Sequence, residues 1–305
     1  MFGGQGLPNF LPFLNKALSV DINHELEKQP HENHVVAPPN INHAFVEELG
    51  VVNLSRRSFE KDERILHSHG HTFQEIHILR HSSLERHVDM VVYPLTTEHC
   101  ENLVALANKH NVCIVPYGGG SNVTHSLLLP MEEKRMIVSV SMQRMNAIKW
   151  VDKENNLACV QAGIIGADLE RDLKQYGVVS GHEPDSMEFS SLGGWISTRA
   201  SGMKKNTYGN IEDIVQNITL VSSKGTYNKV AAWPRQSNGP DLNQMIIGSE
   251  GNIGIVTEAV IKVKPLPEVR IFDSILFYDW ESGVEFMRAV AKTKSYPSSC
   301  RLVDN

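Results

Sequence analysis

The chain has 305 residues, is 41% hydrophobic and 21% charged, and carries a net charge of −6. At ~150 residues per domain this length suggests about two folded units. Its apolar content excludes a wholly disordered chain, and the lack of a Gly-X-Y period or heptad run excludes the fibrous classes. The acidic balance argues against nucleic acid as a partner, and no stretch approaches the ~18 consecutive apolar residues of a membrane span.

Taken in chain order, the first segment carries Phe2, Leu7, Phe10, Leu11, Phe13 and Leu14 but has no basic start and no continuous apolar core. It is not a secretory signal, and a short amphipathic helix after Pro12 is expected. Residues up to about 85 read as irregular and His-rich, with Pro8, Pro12, Pro30, Pro38 and Pro39 between short helical pieces. The tract from Gln29 to His34 reads as an exposed linker. From Val88 the texture changes. Val91, Val92 and Tyr93 form a strand that stops at Pro94, and a helix starts at Thr96 or Thr97 with Leu103, Val104, Leu106 and Ala107 on one face. Strands are expected over 112–115, 137–140 and 157–162. Leu169, Leu173 and Tyr176 fall at i, i+4 and i+7 of a helix that Gly177 ends. Residues 218–221 and 226–230 flank Ser222-Ser223-Lys224-Gly225 as a hairpin, and 255–263 is a long strand broken by Pro265 and Pro267. A new unit then begins with a strand and a helix around 284–291. Strands cluster without βαβ alternation, so the fold class is α+β. The scattered Cys100, Cys113, Cys159 and Cys300 form no CxxC pair and read as small buried hydrophobes in a reduced compartment.

Three glycine-bearing segments could carry chemistry. Pro116-Tyr117-Gly118-Gly119-Gly120-Ser121-Asn122 follows a strand, and consecutive glycines let backbone N–H groups approach an anion. It is neither GxGxxG nor a P-loop. The second runs from Pro184 through Asp185, Ser186, Met187, Glu188, Phe189, Ser190, Ser191, Leu192, Gly193, Gly194, Trp195 and Ile196 to Ser197, Thr198, Arg199, Ala200, Ser201 and Gly202. Its hydroxyls, small residues and single Arg suit a turn around a phosphate-bearing ligand. The third, Gly248-Ser249-Glu250-Gly251-Asn252-Ile253-Gly254-Ile255, feeds the long strand. Each alone could be a turn or a packing interface; three in one α+β region point jointly to one ligand.

These segments resemble the FAD-binding domain shared with vanillyl-alcohol oxidase and D-lactate dehydrogenase. Gly181-His182-Glu183-Pro184-Asp185-Ser186, Ser201-Gly202-Met203-Lys204-Lys205-Asn206, Tyr208 to Asp213, His69-Gly70-His71 and Arg301-Leu302-Val303-Asp304-Asn305 narrow the resemblance to the alkyldihydroxyacetonephosphate synthase family, from about Gly6 onward. It implies a two-subdomain PCMH-type FAD-binding domain over 84–266, after an N-terminal region over 1–83, with 267–305 as the start of an incomplete cap. Pro116 to Asn122, Asp185 to Ser191, Ser197 to Ala200 and Ser249 to Ile255 should then line the FAD, with Arg199 as a charge partner of the pyrophosphate. Ser121 follows the glycines where some relatives carry a His bonded to flavin, so the flavin is expected to be non-covalent.

The family's chemistry exchanges the acyl group of acyl-dihydroxyacetone phosphate for a long-chain fatty alcohol, with no net redox and the flavin as carrier. A Tyr, a His cluster and a phosphate-binding Arg of the family have no counterpart here; Arg301 matches a family active-site Arg, or is an ordinary strand-end Arg. The resemblance also implies a peroxisomal location, without a targeting signal visible here, and allows a membrane-surface association and a homodimer. The chain reads as truncated at both ends. A 2-hydroxy-acid dehydrogenase and an inert FAD-binding paralogue are the alternatives, the GHEPDS and SGMKKN strings arguing against the dehydrogenase. Alternating His67, His69 and His71 do not read as a metal site, for want of a further ligand. His182 could reach the flavin ring or make a structural hydrogen bond, and Lys204 and Lys205 form a solvated face or meet a phosphate.

Overall fold

Short β-branched runs and capped helices divide the chain into two sheets. The computed structural model describes residues 10–19, 34–52, 54–229, 236–293 and 297–304. The expected linker lies outside the described residues except for His34, as do Val230 and Asn305. Helix α1 (Phe10–Leu18) includes Pro12 in its first turn, where a missing N–H costs nothing. Helix α2 (His43–Leu49) is capped by Asn42, whose side chain accepts from the Phe45 N–H. Strand β1 (Arg56–Ser58), helix α3 (Lys61–Leu66) and helix α4 (Phe73–His81) follow. Thr72 and Glu75 close a reciprocal capping box at α4.

Strand β2 (Met90–Tyr93), helix α5 (Thr97–His110), strand β3 (Cys113–Tyr117) and strand β4 (Ile137–Ser141) complete the first unit. Its four-stranded sheet has the order β1-β2-β4-β3, with β2, β4 and β3 parallel and β1 antiparallel at the edge. The second sheet is antiparallel. Strands β5 (Ile148–Asp152) and β6 (Leu157–Gln161) precede helix α6 (Gly166–Gln175) and strand β7 (Val178–Val179). Helices α7 (Leu192–Ser197), α8 (Lys205–Tyr208) and α9 (Ile211–Ile214) lead to strands β8 (Val215–Ser222) and β9 (Gly225–Tyr227). After helix α10 (Asn243–Ile246), strand β10 (Ile255–Lys262) enters the middle of a five-stranded sheet, β5-β6-β10-β8-β9, and strand β11 (Lys264–Pro265) pairs with β7. The mixed parallel and antiparallel sheets are the α+β, two-subdomain arrangement expected from the sequence.

Packing explains why the two sheets stay together. Leu169 and Leu173 of α6 and Leu192 and Ile196 of α7 are buried against Ile218 of β8 and Ile261 of β10. Each such side chain contributes about 1.5–3 kcal/mol relative to exposure. Helix α5 serves both units: Cys100, Leu103 and Ala107 pack in one cluster with Met90 and Val138 of the first sheet and Val221 and Ile255 of the second. The apolar face of α5, legible in the sequence, is thus the joint that fixes the cleft between subdomains.

Three expectations are corrected. Tyr176 is not on the buried face of α6; it caps the helix end and is 43% exposed, because the turn has opened by that point. No strand forms over 268–279; Ile271, Phe272, Leu276 and Tyr278 are exposed, since no described strand offers this segment a ladder. Of the cysteines, Cys100 and Cys159 are buried while Cys113 and Cys300 are only partly so, and all four are free. Helix α11 (Trp280–Lys292) does form, capped by Asp279.

Candidate functional site

The first glycine segment leaves β3 at the carboxyl end of the parallel strands, where open sheets present their binding crevices. Its glycines are required by close approach. A Cβ on Gly119 would stand 1.8 Å from the Phe189 carbonyl oxygen, so only glycine lets the second segment lie across the first. Gly120 takes a φ of +66°, and a Cβ there would meet the Tyr117 hydroxyl at 2.3 Å. The second segment turns into α7 at Ser191, whose hydroxyl accepts from the Gly194 N–H at 3.2 Å. The third arrives from α10: Glu250, in left-handed conformation at φ +50°, donates its N–H to the Ser197 carbonyl at 2.8 Å, and its carboxylate accepts the Thr124 hydroxyl. Each segment therefore touches another, and together they enclose a cavity of about 370 Å³ between the two subdomains.

Among the sequence-predicted residues, Pro116, Tyr117, Gly118, Gly119, Gly120, Ser121, Asn122, Asp185, Ser190, Ser191, Ser197, Thr198, Ala200, Glu250, Gly251, Gly254 and Ile255 line this cavity. Ser186, Met187, Glu188, Phe189, Arg199, Ser249, Asn252 and Ile253 are not among its lining residues. Phe189 and Met187 support it from behind: the Phe189 carbonyl is the surface Gly119 rests on, and Met187 packs against the second core. Arg199 turns instead toward Glu212, at 3.6 Å, and is half-exposed. Sequence reasoning missed Thr124, Ser126, Leu127, Met142 and Ala162, which line the same space. Gly193, Gly194 and Trp195 also line it; they lie inside the quoted second segment, and their glycine pair was the available signal.

The electrostatics suit a polyanionic, polar ligand. Among the described residues, nothing accepts from the backbone N–H groups of Gly119, Gly120 or Ser121. The Asn122 side-chain oxygen is buried without a hydrogen-bond partner beside the cavity. An orphaned buried acceptor costs about 1–3 kcal/mol, so a ligand that donates to it is favoured. These features fit FAD: free N–H groups for a pyrophosphate, an amide oxygen for a hydroxyl or amino donor, and an apolar strip of Leu127, Met142 and Ile255 for a ring.

Two loops brace the site from outside. The His69-Gly70-His71 turn lies on the first segment, its His71 N–H donating to the Asn122 carbonyl at 2.7 Å. Buried Glu75 accepts from the Gly70 and Thr72 N–H groups and from the Thr72 hydroxyl, which fixes that turn. Burial alone would raise its carboxyl, but those three bonds together hold it below the ordinary range. On the far side, His182 stacks edge-on against Trp195 at 5.0 Å, with both ring nitrogens buried and unpartnered. Burial pushes its pKa down to about 4, so the imidazole is neutral at pH 7. Lys204 is not a solvated cation: it ion-pairs with Glu183, and Arg270 approaches the same carboxylate at 3.6 Å. Arg301 is exposed, outside the cavity lining, with its guanidinium on the Met203 sulfur. No group of three metal-ligating side chains occurs among the described residues.

Comparisons with known proteins agree with this geometry. A profile described as FAD binding domain matches residues 88–231. The chain is 43% identical over 302 residues to an alkyldihydroxyacetonephosphate synthase of Caenorhabditis elegans, an alignment spanning 99% of this chain and 50% of that protein. It is 37% identical to the synthase of Trypanosoma brucei brucei over 88% of this chain and 44% of the relative. A solved alkyldihydroxyacetonephosphate synthase structure superposes with a TM-score of 0.77 at 38% identity, over 86% of this chain and 48% of that one. The chain thus spans about half the length of the relatives it matches. It has the PCMH-type FAD-binding fold and, along nearly all of its length, resembles the alkyldihydroxyacetonephosphate synthases.

Proposed function

We propose that this chain is the flavin-holding part of an alkylglycerone-phosphate synthase, which exchanges the acyl group of acyl-dihydroxyacetone phosphate for a long-chain fatty alcohol. The observation that carries this reading is the convergence of all three glycine segments on one cavity between the subdomains, in a chain 43% identical to a synthase over 99% of its length. FAD would be held non-covalently by 116–122, 185–191, 197–200 and 249–255; no His stands within the first segment to bond it. When bound, it would supply an electrophilic flavin ring. The chain's own residues orient and exclude: Gly119, Gly120 and Ser121 offer backbone donors, Trp195 walls the cavity, and neutral His182 keeps the neighbouring space uncharged. Residues 84–266 would form the flavin unit and 267–305 would belong to a substrate cap that carries Arg301. A peroxisomal location, association with a membrane surface and a homodimer come to this reading from the family.

The dehydrogenase alternative shares the cofactor and differs in the reaction. Purified protein is examined first for flavin absorbance, then assayed with acyl-dihydroxyacetone phosphate and a labelled long-chain alcohol. The 305-residue chain alone is expected to hold flavin weakly and to form no ether product. Vigorous alkyl transfer by this chain would contradict that division of labour. Reduction of its flavin by a 2-hydroxy acid would favour the dehydrogenase reading.

A further inference from the structure

His67 is 1% exposed and lies outside the cavity lining, yet it packs directly behind the wall. Its ring centroid is 4.3 Å from that of Tyr117, the residue that opens the glycine segment, and 6.0 Å from that of Tyr93. The sheet register identifies what else faces it. Tyr117 pairs with Ser141 across β3 and β4, and Tyr93 stands one step past the Val92–Val140 pair of β2 and β4. Paired residues of parallel strands project to the same face. Tyr93, Ser141 and Tyr117 therefore make one row across the sheet, and His67 contacts the two outer members of that row. It therefore packs on the face of the sheet to which Ser141 projects.

Hydrogen bonding singles out the same two residues. His67 Nδ1 lies 2.8 Å from the Glu63 carbonyl oxygen, which can only accept, so the proton is on Nδ1 and Nε2 is left with a lone pair. Nε2 is buried with no partner, and so is the Ser141 hydroxyl. An acceptor and a donor, both orphaned and both buried, thus lie on the same side of the sheet, beside the two tyrosines. Tyr93 cannot donate to Nε2, because its hydroxyl proton already goes to Glu63 at 2.8 Å. A small polar space with orphaned groups of opposite sense is the setting in which proteins hold a structural water.

We propose that His67 is a positioning residue for the cofactor cavity: its Nε2 and the Ser141 hydroxyl share one internal water, and this buttress fixes the Tyr117 ring that shapes the glycine segment. Tyr117 is the right lever, since its hydroxyl lies where a side chain on Gly120 would stand. A tilt of that ring would move the backbone donors of Gly120 and Ser121. The buttress rests on the flavin reading for its consequence and on geometry alone for its hydrogen bonds, so the two are tested separately.

The first arm uses the flavin-free chain labelled with ¹⁵N-histidine. The His67 resonance is expected to show the Nδ1–H tautomer with a hydrogen-bonded Nε2, and Ser141→Ala is expected to shift the Nε2 signal while the thermal melt stays cooperative. An Nε2–H tautomer, or an Nε2 signal indifferent to S141A, overturns the buttress. The second arm measures FAD affinity. His67→Phe keeps the ring packing and removes the acceptor, and should weaken binding about 5- to 10-fold, the effect of one lost hydrogen bond. His67→Gln, whose amide oxygen reaches the Nε2 position, should recover most of it. Equal affinity of H67F and wild type, or no difference between H67F and H67Q, overturns the positioning role. If the wild-type chain holds no flavin, the functional reading falls, and the spectrum still decides the buttress.

Discussion

The two subdomains are stabilised in different ways. The second has an apolar interior, with Leu169, Leu173, Leu192, Ile196, Ile218 and Ile261 in one cluster and no Asp, Glu, Lys or Arg among its described buried residues. The first buries charge. Arg64, Glu75 and Asp89 are all inside, together with His34, His67, His69 and His87. Arg64 donates to the Val88 and Ala37 carbonyls. Asp89 accepts from the Asn40 and Ile137 N–H groups and forms a two-pronged pair with Arg86. An apolar interior tolerates many substitutions of similar volume, whereas a buried polar network depends on each partner. The cavity lies between these two kinds of support: β3 and its glycine segment come from the polar side, α7 and β10 from the apolar side.

The largest expected effect tests the polar side. Asp89→Ala strands the buried Ile137 N–H, the part-buried Asn40 N–H and a partly buried guanidinium, and should cost about 3–5 kcal/mol. Hydrogen exchange should show protection lost in β2 and β4 before β8 and β10. Equal loss in both sheets would mean that the shared helix α5 makes the two units one cooperative block, and the contrast would fail. Next, Leu173→Ala opens a cavity in the apolar side and should cost about 3 kcal/mol by chemical denaturation. A cost below about 1 kcal/mol would show that this interior collapses around the gap.

Acid probes both sides at once, through one histidine in each. Burial lowers His182 to about 4, and burial with the neighbouring Arg64 and Arg86 charges lowers His87 to about 4. Each is neutral when folded and takes up a proton when unfolded below about 6.5, so the unfolded chain binds more protons between those values. Stability should therefore be full above about pH 6.5, fall by about 3 kcal/mol for each of the two histidines as pH drops toward 4, and level off below. His182→Phe should flatten part of the slope; an unchanged profile would mean that His182 is not held neutral. The smallest effect is local. Asn42→Ala removes the α2 cap and the bond from its amide to the His110 carbonyl, and should cost about 1 kcal/mol in thermal melts.

The same contrast explains what the sequence could reveal. The apolar side is periodic: the 3.6-residue spacing of Leu169 and Leu173 and the strand pattern of β10 are visible in the order of residues alone. So is α5, whose Thr96 cap and Leu103–Ala107 face are local signals. The polar side is not periodic. β1 is three residues, Arg-Arg-Ser, and becomes a strand only because β2 offers it an edge. The buried His67 and Asp89 follow no pattern of burial along the chain. Thr72 and Glu75 have the spacing of a capping box, a local signal, but their hold on the His69–His71 turn arises only when the chain folds. Within the site, the glycine segments were legible because close approach demands glycine, whereas Thr124, Leu127 and Met142 reach the cavity only through folding.

The proposed FAD site draws three glycine segments from both subdomains. Equilibrium titration of the 305-residue chain with FAD, followed by flavin fluorescence, tests it directly when Gly119→Val is run beside the wild type. A Cβ at Gly119 cannot coexist with the Phe189 carbonyl 1.8 Å away, so the first and second segments must separate. Weak, saturable 1:1 binding is predicted for the wild type and none for G119V, with the second subdomain still folded by circular dichroism. No saturable binding by the wild type, or equal binding by G119V, would contradict it.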